Sequence, residues 1–191
     1  MRSPAEMMPL VRVVVATPYP KSQRMLERYV GGCLKGIATV VATGSDDFEF
    51  DACDILVFYE RSPNEFAFRQ NLPYVEHIGI RFVIQAGGVR RLAALDQGAR
   101  VGVVAGHRPC ANMLLREILD SGIYQPRFVT GAFNDMQFMD VDVFAVAEEM
   151  EETLRAVYSG DNSRIIILPR SLSNSSVAEL INTASRVLLK R

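Results

Sequence analysis

A run of apolar residues, Arg12-Val-Val-Val-Ala-Thr17, returns 88 positions later as Arg100-Val-Gly-Val-Val-Ala105. An unbroken apolar run of this length fits a strand covered on both faces, as in a parallel sheet. The segment after each run also returns. Pro18-Tyr-Pro-Lys21-Ser22 leads into Met25, Leu26, Tyr29 and Val30 at helical spacing. Gly106-His-Arg-Pro109 leads into Met113, Leu114, Ile118 and Leu119 in the same rhythm. The stretch from Val40 to Glu60 aligns with that from Arg127 to Glu149 through a shared Thr-Gly, a later Asp, and an Asp-Ile or Asp-Val pair before an apolar run. A repeat of this length constrains the fold more than any single motif, because each copy must build its own sheet.

Read element by element, the first copy predicts a strand over 12–17 and a helix over 21–30 that ends at Gly31-Gly32. Strands come next over 37–42 and 55–59, then a helix over 64–70 that resumes over 74–77. A fourth strand over 81–85 stops at Gly87-Gly88, and a short helix over 89–95 closes at Gly98. The second copy predicts strands over 100–105, 127–130, 143–146 and 164–168 and helices over 113–119 and 149–158. It closes with a polar loop over 171–176 and an amphipathic helix over 177–189, capped by Ser175 or Ser176 with Glu179 as the capping-box acid. Arg81-Phe-Val-Ile-Gln85 is matched with Arg164-Ile-Ile-Ile-Leu168, at a shorter offset than the other elements. The expected fold class is therefore α/β: two tandem, similar three-layer α/β lobes with mostly parallel sheets and an inter-lobe cleft. Residues 1–9 read as a leader, 10–98 as lobe one and 99–191 as lobe two.

Charge excludes some partners. The formal net charge of -1, with basic residues scattered, gives no footprint for nucleic acid or a membrane surface. No apolar stretch reaches the roughly 18–20 residues needed to span a bilayer. The three cysteines, Cys33, Cys53 and Cys110, form no CxxC pair, which points to reduced thiols in a cytoplasmic protein rather than to disulfides or zinc. Glycine scaffolds for dinucleotides or P-loop nucleotides are missing, as are HExxH and GxSxG, so no cofactor or metal is expected. The partner expected is a small molecule, with homodimer formation left open.

Ligands of open parallel sheets bind beyond the carboxyl ends of the strands. That rule selects Thr17, Tyr19, Lys21 and Ser22 after the first strand, and Glu60, Arg61 and Ser62 after the third. It adds Gly87 after the fourth, then His107, Arg108 and Cys110, and last Arg170, Ser171 and Ser173. Lys21 and Arg108 stand at helix starts, where unpaired N–H groups and the dipole favour a carboxylate or phosphate. Gly87-Gly88 also suits a hinge. Cys110, at a helix start beside His107 and Arg108, has the setting that lowers a thiol pKa.

The layout, length and strand-ending loops resemble the N-terminal ligand-sensing domain of propionate-catabolism-type transcriptional activators, itself similar to two-lobed periplasmic binding proteins. That resemblance implies an effector held between lobes, in a chain belonging to a transcriptional regulator. Thr17-Pro18-Tyr19 resembles a loop of the aspartate/glutamate racemase and maleate isomerase group, which implies catalysis by one cysteine from each lobe. Cys110 fits from the second lobe, with His107 beside it, but Glu60-Arg61-Ser62 holds no cysteine and Cys53 precedes its strand. A sensor module for a small, anionic metabolite is the expectation, with a Cys110/His107 racemase or isomerase as the alternative.

Overall fold

The first strand of each copy lies inside its sheet, with a partner on either side. The computed structural model describes residues 10–17, 19–44, 53–60 and 74–191. In the first sheet β1 (Val11–Ala16) pairs with β2 (Ala38–Thr43) and with β3 (Ile55–Tyr59), which pairs in turn with β4 (Glu76–Ile80). All three pairings are parallel, in the order β2-β1-β3-β4. The second sheet has β6 (Arg100–Ala105), β7 (Arg127–Ala132), β8 (Val143–Ala147) and β9 (Ile165–Leu168), also parallel, in the order β7-β6-β8-β9. The fold is α/β with two mostly parallel sheets.

The registers agree as well as the order. Val11 lies opposite Ala38 and Arg100 opposite Arg127, so each partner is 27 positions on. Val13 faces Ile55 and Val101 faces Val143, each 42 on. Ile55 faces Glu76 and Phe144 faces Ile165, each 21 on. One carboxylate in each sheet fixes the second of these registers. Asp54 accepts a hydrogen bond from the Arg12 N–H at 2.7 Å, and Asp142 accepts one from the Arg100 N–H, also at 2.7 Å. The Asp54 and Asp142 N–H groups donate back to the Arg12 and Arg100 carbonyls at 2.9 and 2.8 Å. This reciprocal lock gives the aspartate before β3 and the one before β8 the same structural role.

The fourth strand corrects the reading of the sequence. Residues 76–80 form a strand where helix was expected to resume, and Ile78 and Ile80 point into the core. Phe82–Ile84, expected to be that fourth strand, is instead β5, which forms a separate two-stranded ladder with β10 (Arg170–Leu172). Residues 171–172, expected as loop, lie in β10. The helix expected over 64–70 lies outside the described residues.

Helix boundaries shift too. Helix α1 (Pro20–Cys33) runs through Gly31-Gly32, and the left-handed residue is Gly36, at φ 82°. Two glycines cost about 1 kcal/mol each in a helix interior, and the buried Leu26, Val30 and Leu34 offset that. Helix α2 (Ala86–Ala93) starts earlier than expected and takes in Gly87 and Gly88. Helix α3 spans Arg108–Asp120, with Pro109 in its first turn. The acidic run opens with a 3-10 turn at Glu148–Met150, succeeded by α4 (Glu151–Val157). Helix α5 (Asn174–Leu189) is capped by Ser173, whose Oγ accepts from the Ser176 N–H at 3.2 Å, rather than by Ser175 or Ser176.

The chain divides into two units: residues 1–81 with 172–191, and residues 82–171. Sequence neighbours and packing neighbours thus part company at the last helix of each copy. Helix α5 packs on β4, β1 and α1 of the first unit. Helix α2, encoded among the first copy's residues, packs on β9 in the second. There Leu92 joins Val101, Val103, Leu114, Ile118 and Leu168 on one face of the sheet. The other face carries Val104, Phe144 and Val146 against Phe133, Met136 and Leu154. In the first unit Val14, Ala16, Leu56 and Phe58 cluster on one face.

Candidate functional site

The first unit brings several of the selected residues to the carboxyl edge of its sheet. Thr17 comes directly after β1 and is buried, and its N–H donates to the Thr43 carbonyl at 3.2 Å. Its Oγ1 accepts from the Tyr19 N–H at 3.4 Å. Tyr19 is the N-cap residue of α1, Lys21 lies in the first turn, and the Ser22 N–H donates back to the Tyr19 carbonyl at 2.9 Å. Glu60 stands at the end of β3 and pairs with Arg81 at 2.6 Å. Both partners keep a third or more of their surface in water, which holds such a pair to about 0–1 kcal/mol. The Ser173 N–H donates to the Arg81 carbonyl at 2.9 Å, and Ser176 Oγ accepts from the Arg81 N–H at 2.9 Å. Arg61 and Ser62 lie outside the described residues.

In the second unit the matching edge holds His107, Arg108 and Cys110. His107 is the N-cap residue of α3, and it and Arg108 are exposed. The His107 side chain makes no capping hydrogen bond to α3, and the first turn of the helix holds no acidic residue. The same is true of Tyr19 at α1, which also carries proline in its first turn. Gly87 is exposed in α2, and Ser171 is half-buried in β10.

Cys110 lies in a different setting from the one the sequence suggested. Burial pushes its thiol up, and the nearby Arg170 guanidinium opposes that only in part. That direction is opposite to the lowering that makes a thiol nucleophilic. Cys33 is raised by burial, and Cys53 is pushed up to about 11 by burial and by Asp54.

Arg170 is the most constrained of the selected residues. Its side chain is 7% exposed. Its Nη1 donates to both Glu117 carboxylate oxygens, at 2.9 and 2.7 Å, and its Nη2 donates to Glu149 Oε1. The guanidinium stacks over the Phe82 ring, 4.7 Å from the centroid. Arg170 is thus committed to two carboxylates of its own chain. Glu117 was not among the residues selected from sequence. The signal for it lay in spacing: it falls three residues after Leu114 and one before Ile118, on the face that α3 buries.

Among the described residues no group of three or more His, Cys, Asp or Glu side chains is placed to hold a metal ion. No described helix is long and apolar enough to cross a membrane. Comparison with known proteins finds no matching family model, no matching curated protein and no matching solved structure.

Proposed function

We propose that this chain is a small-molecule-binding sensor module whose ligand is a small carboxylate or phosphate taken at the carboxyl ends of its parallel strands. One observation carries the reading. Helices α1 and α3 come after the first strand of their sheets, and at both the N-cap side chain, Tyr19 or His107, makes no capping hydrogen bond and the first turn holds no acid. Most helices satisfy these N–H groups with Ser, Thr, Asp or Asn. The α3 start, beside the exposed Arg108, suits an anionic acceptor, whereas at α1 the Ser22 and Gln23 N–H groups already donate to the Tyr19 carbonyl. Arg170 takes no part in this reading, because Glu117 and Glu149 already hold it. We also propose that the shared strand order and register descend from a tandem duplication, and that the three thiols serve in the reducing cytoplasm, as a piece of a regulator.

Calorimetry against a panel of simple carboxylates and phosphorylated metabolites tests the ligand class. Binding by one class should weaken roughly tenfold or more in Arg108→Ala, the loss of a charge-assisted hydrogen bond of about 1.5–3 kcal/mol. If neither class binds, or Arg108→Ala leaves binding unchanged, the anion reading fails. The racemase or isomerase alternative loses support from the raised Cys110 thiol and gains none elsewhere.

A further inference from the structure

Two buried carboxyl groups share one guanidinium in the second unit, and the charges do not balance. Glu117 and Glu149 both bond to Arg170, and their side chains are only 10% and 8% exposed. With both ionised, the cluster carries one uncompensated negative charge out of water, which is costly. Glu149 Oε2 is buried and has no hydrogen-bond partner among the described residues. Among the described residues, the other groups acting on Glu117 do not restore balance. Helix α3 adds Asp120, a further negative charge, and the Cys110 thiol, while β5 adds the Phe82 ring. The positions 88 earlier than Glu117, Glu149 and Arg170 hold Tyr29, Arg61 and Phe82, so the acid pair belongs to one copy alone.

We propose that the Glu117–Arg170–Glu149 cluster retains one proton at pH values where ordinary carboxyl groups have ionised, and that losing it loosens the ladder of β10 with β5. The cluster is thus a proton-linked switch on the strand at which the chain leaves the second unit. Burial holds the Glu117 carboxyl above its usual range, against the pull of Arg170 and with the help of Glu149 and Asp120. A carboxyl raised in the fold favours the protonated folded state. The stabilisation is complete below the ordinary glutamate range and is lost as pH rises through the raised value.

The test is infrared spectroscopy of the whole chain with thermal melts across pH. The expected result is a protonated-carboxyl C=O band that persists above the ordinary glutamate range and vanishes in Glu117→Gln and Glu149→Gln. Over the same range the wild-type Tm falls as pH rises, and Glu117→Gln flattens that fall. Amide exchange at residues 82–84 and 170–172, corrected for its intrinsic pH dependence, rises as the band disappears. Absence of the band in the wild-type protein overturns the proposal even if neither variant folds. So does a variant that keeps the wild-type pH slope.

Discussion

Replacing Leu180 by alanine should open the first unit and leave the second largely closed, although Leu180 lies near the end of the second copy. Leu180 is fully buried in α5, which packs on β4, β1 and α1. Truncating a buried leucine costs about 2–5 kcal/mol, from lost transfer energy and a residual cavity. Alanine keeps helix propensity at its maximum, so the loss reports packing alone. Taking about 3 kcal/mol, at 1.4 kcal/mol per tenfold, the open population rises roughly 100-fold. Hydrogen exchange read by mass spectrometry should show that acceleration in peptides covering 11–16, 55–59 and 76–80. Peptides covering 100–105 and 143–147 should change far less. The mirror experiment uses Leu92, 88 positions earlier, 1% exposed, and packed in α2 against Val101 and Leu168. Leu92→Ala should accelerate exchange in 100–105 and 143–147 first. If each variant instead opens the sheet of its own sequence copy, the division of the chain at Arg81 and Ser171 is wrong.

Single contacts give three further outcomes. Gly88→Ala should lower Tm, because its added Cβ would sit 2.8 Å from Ile84 Cγ2 and 3.3 Å from Leu168 Cδ2; overpacking of about 1–3 kcal/mol outweighs the roughly 1 kcal/mol of helix propensity gained. Gly87→Ala meets nothing within 4 Å and should raise Tm, so a fall there or a rise at Gly88 contradicts the packing described. Asp54→Ala should destabilise more than Asp142→Ala in urea titrations, about 2 against about 1 kcal/mol, because the Asp54 side chain is 22% exposed and that of Asp142 54% and because Asp54 also accepts from Arg191; if Asp54→Ala costs no more than Arg191→Ala, the strand-three lock is not what the Asp54 carboxylate contributes. Cys110 should react with iodoacetamide more slowly than a small model thiol at mildly alkaline pH, since burial raises it; faster reaction would revive the enzymatic alternative.

The sequence by itself determined the parallel α/β class, the central strands and most helices. Strands whose neighbours cover both faces must be apolar throughout, and 100–105 and 55–59 were legible to the residue for that reason. The edge strand β4 was not, although the edge strands β2, β7 and β9 were read within two residues of their bounds. Glu76-His-Ile-Gly-Ile80 carries charge and glycine, and the more apolar Phe82-Val-Ile84 beside it looked the better strand. A constant offset of 88 would have chosen correctly, since it pairs 76–80 with 164–168 and 82–84 with 170–172. Of the site, Thr17, Tyr19, His107, Arg108 and Cys110 were legible as strand-end residues, because the end of an apolar run marks where a strand stops. Only tertiary structure decided which unit each last helix completes, because an apolar stripe records that a helix is buried and not against what. Only tertiary structure turned Arg170 from a strand-end cation into the centre of a buried acid pair. Glu117 is 53 residues distant in sequence, and no local pattern reports that proximity.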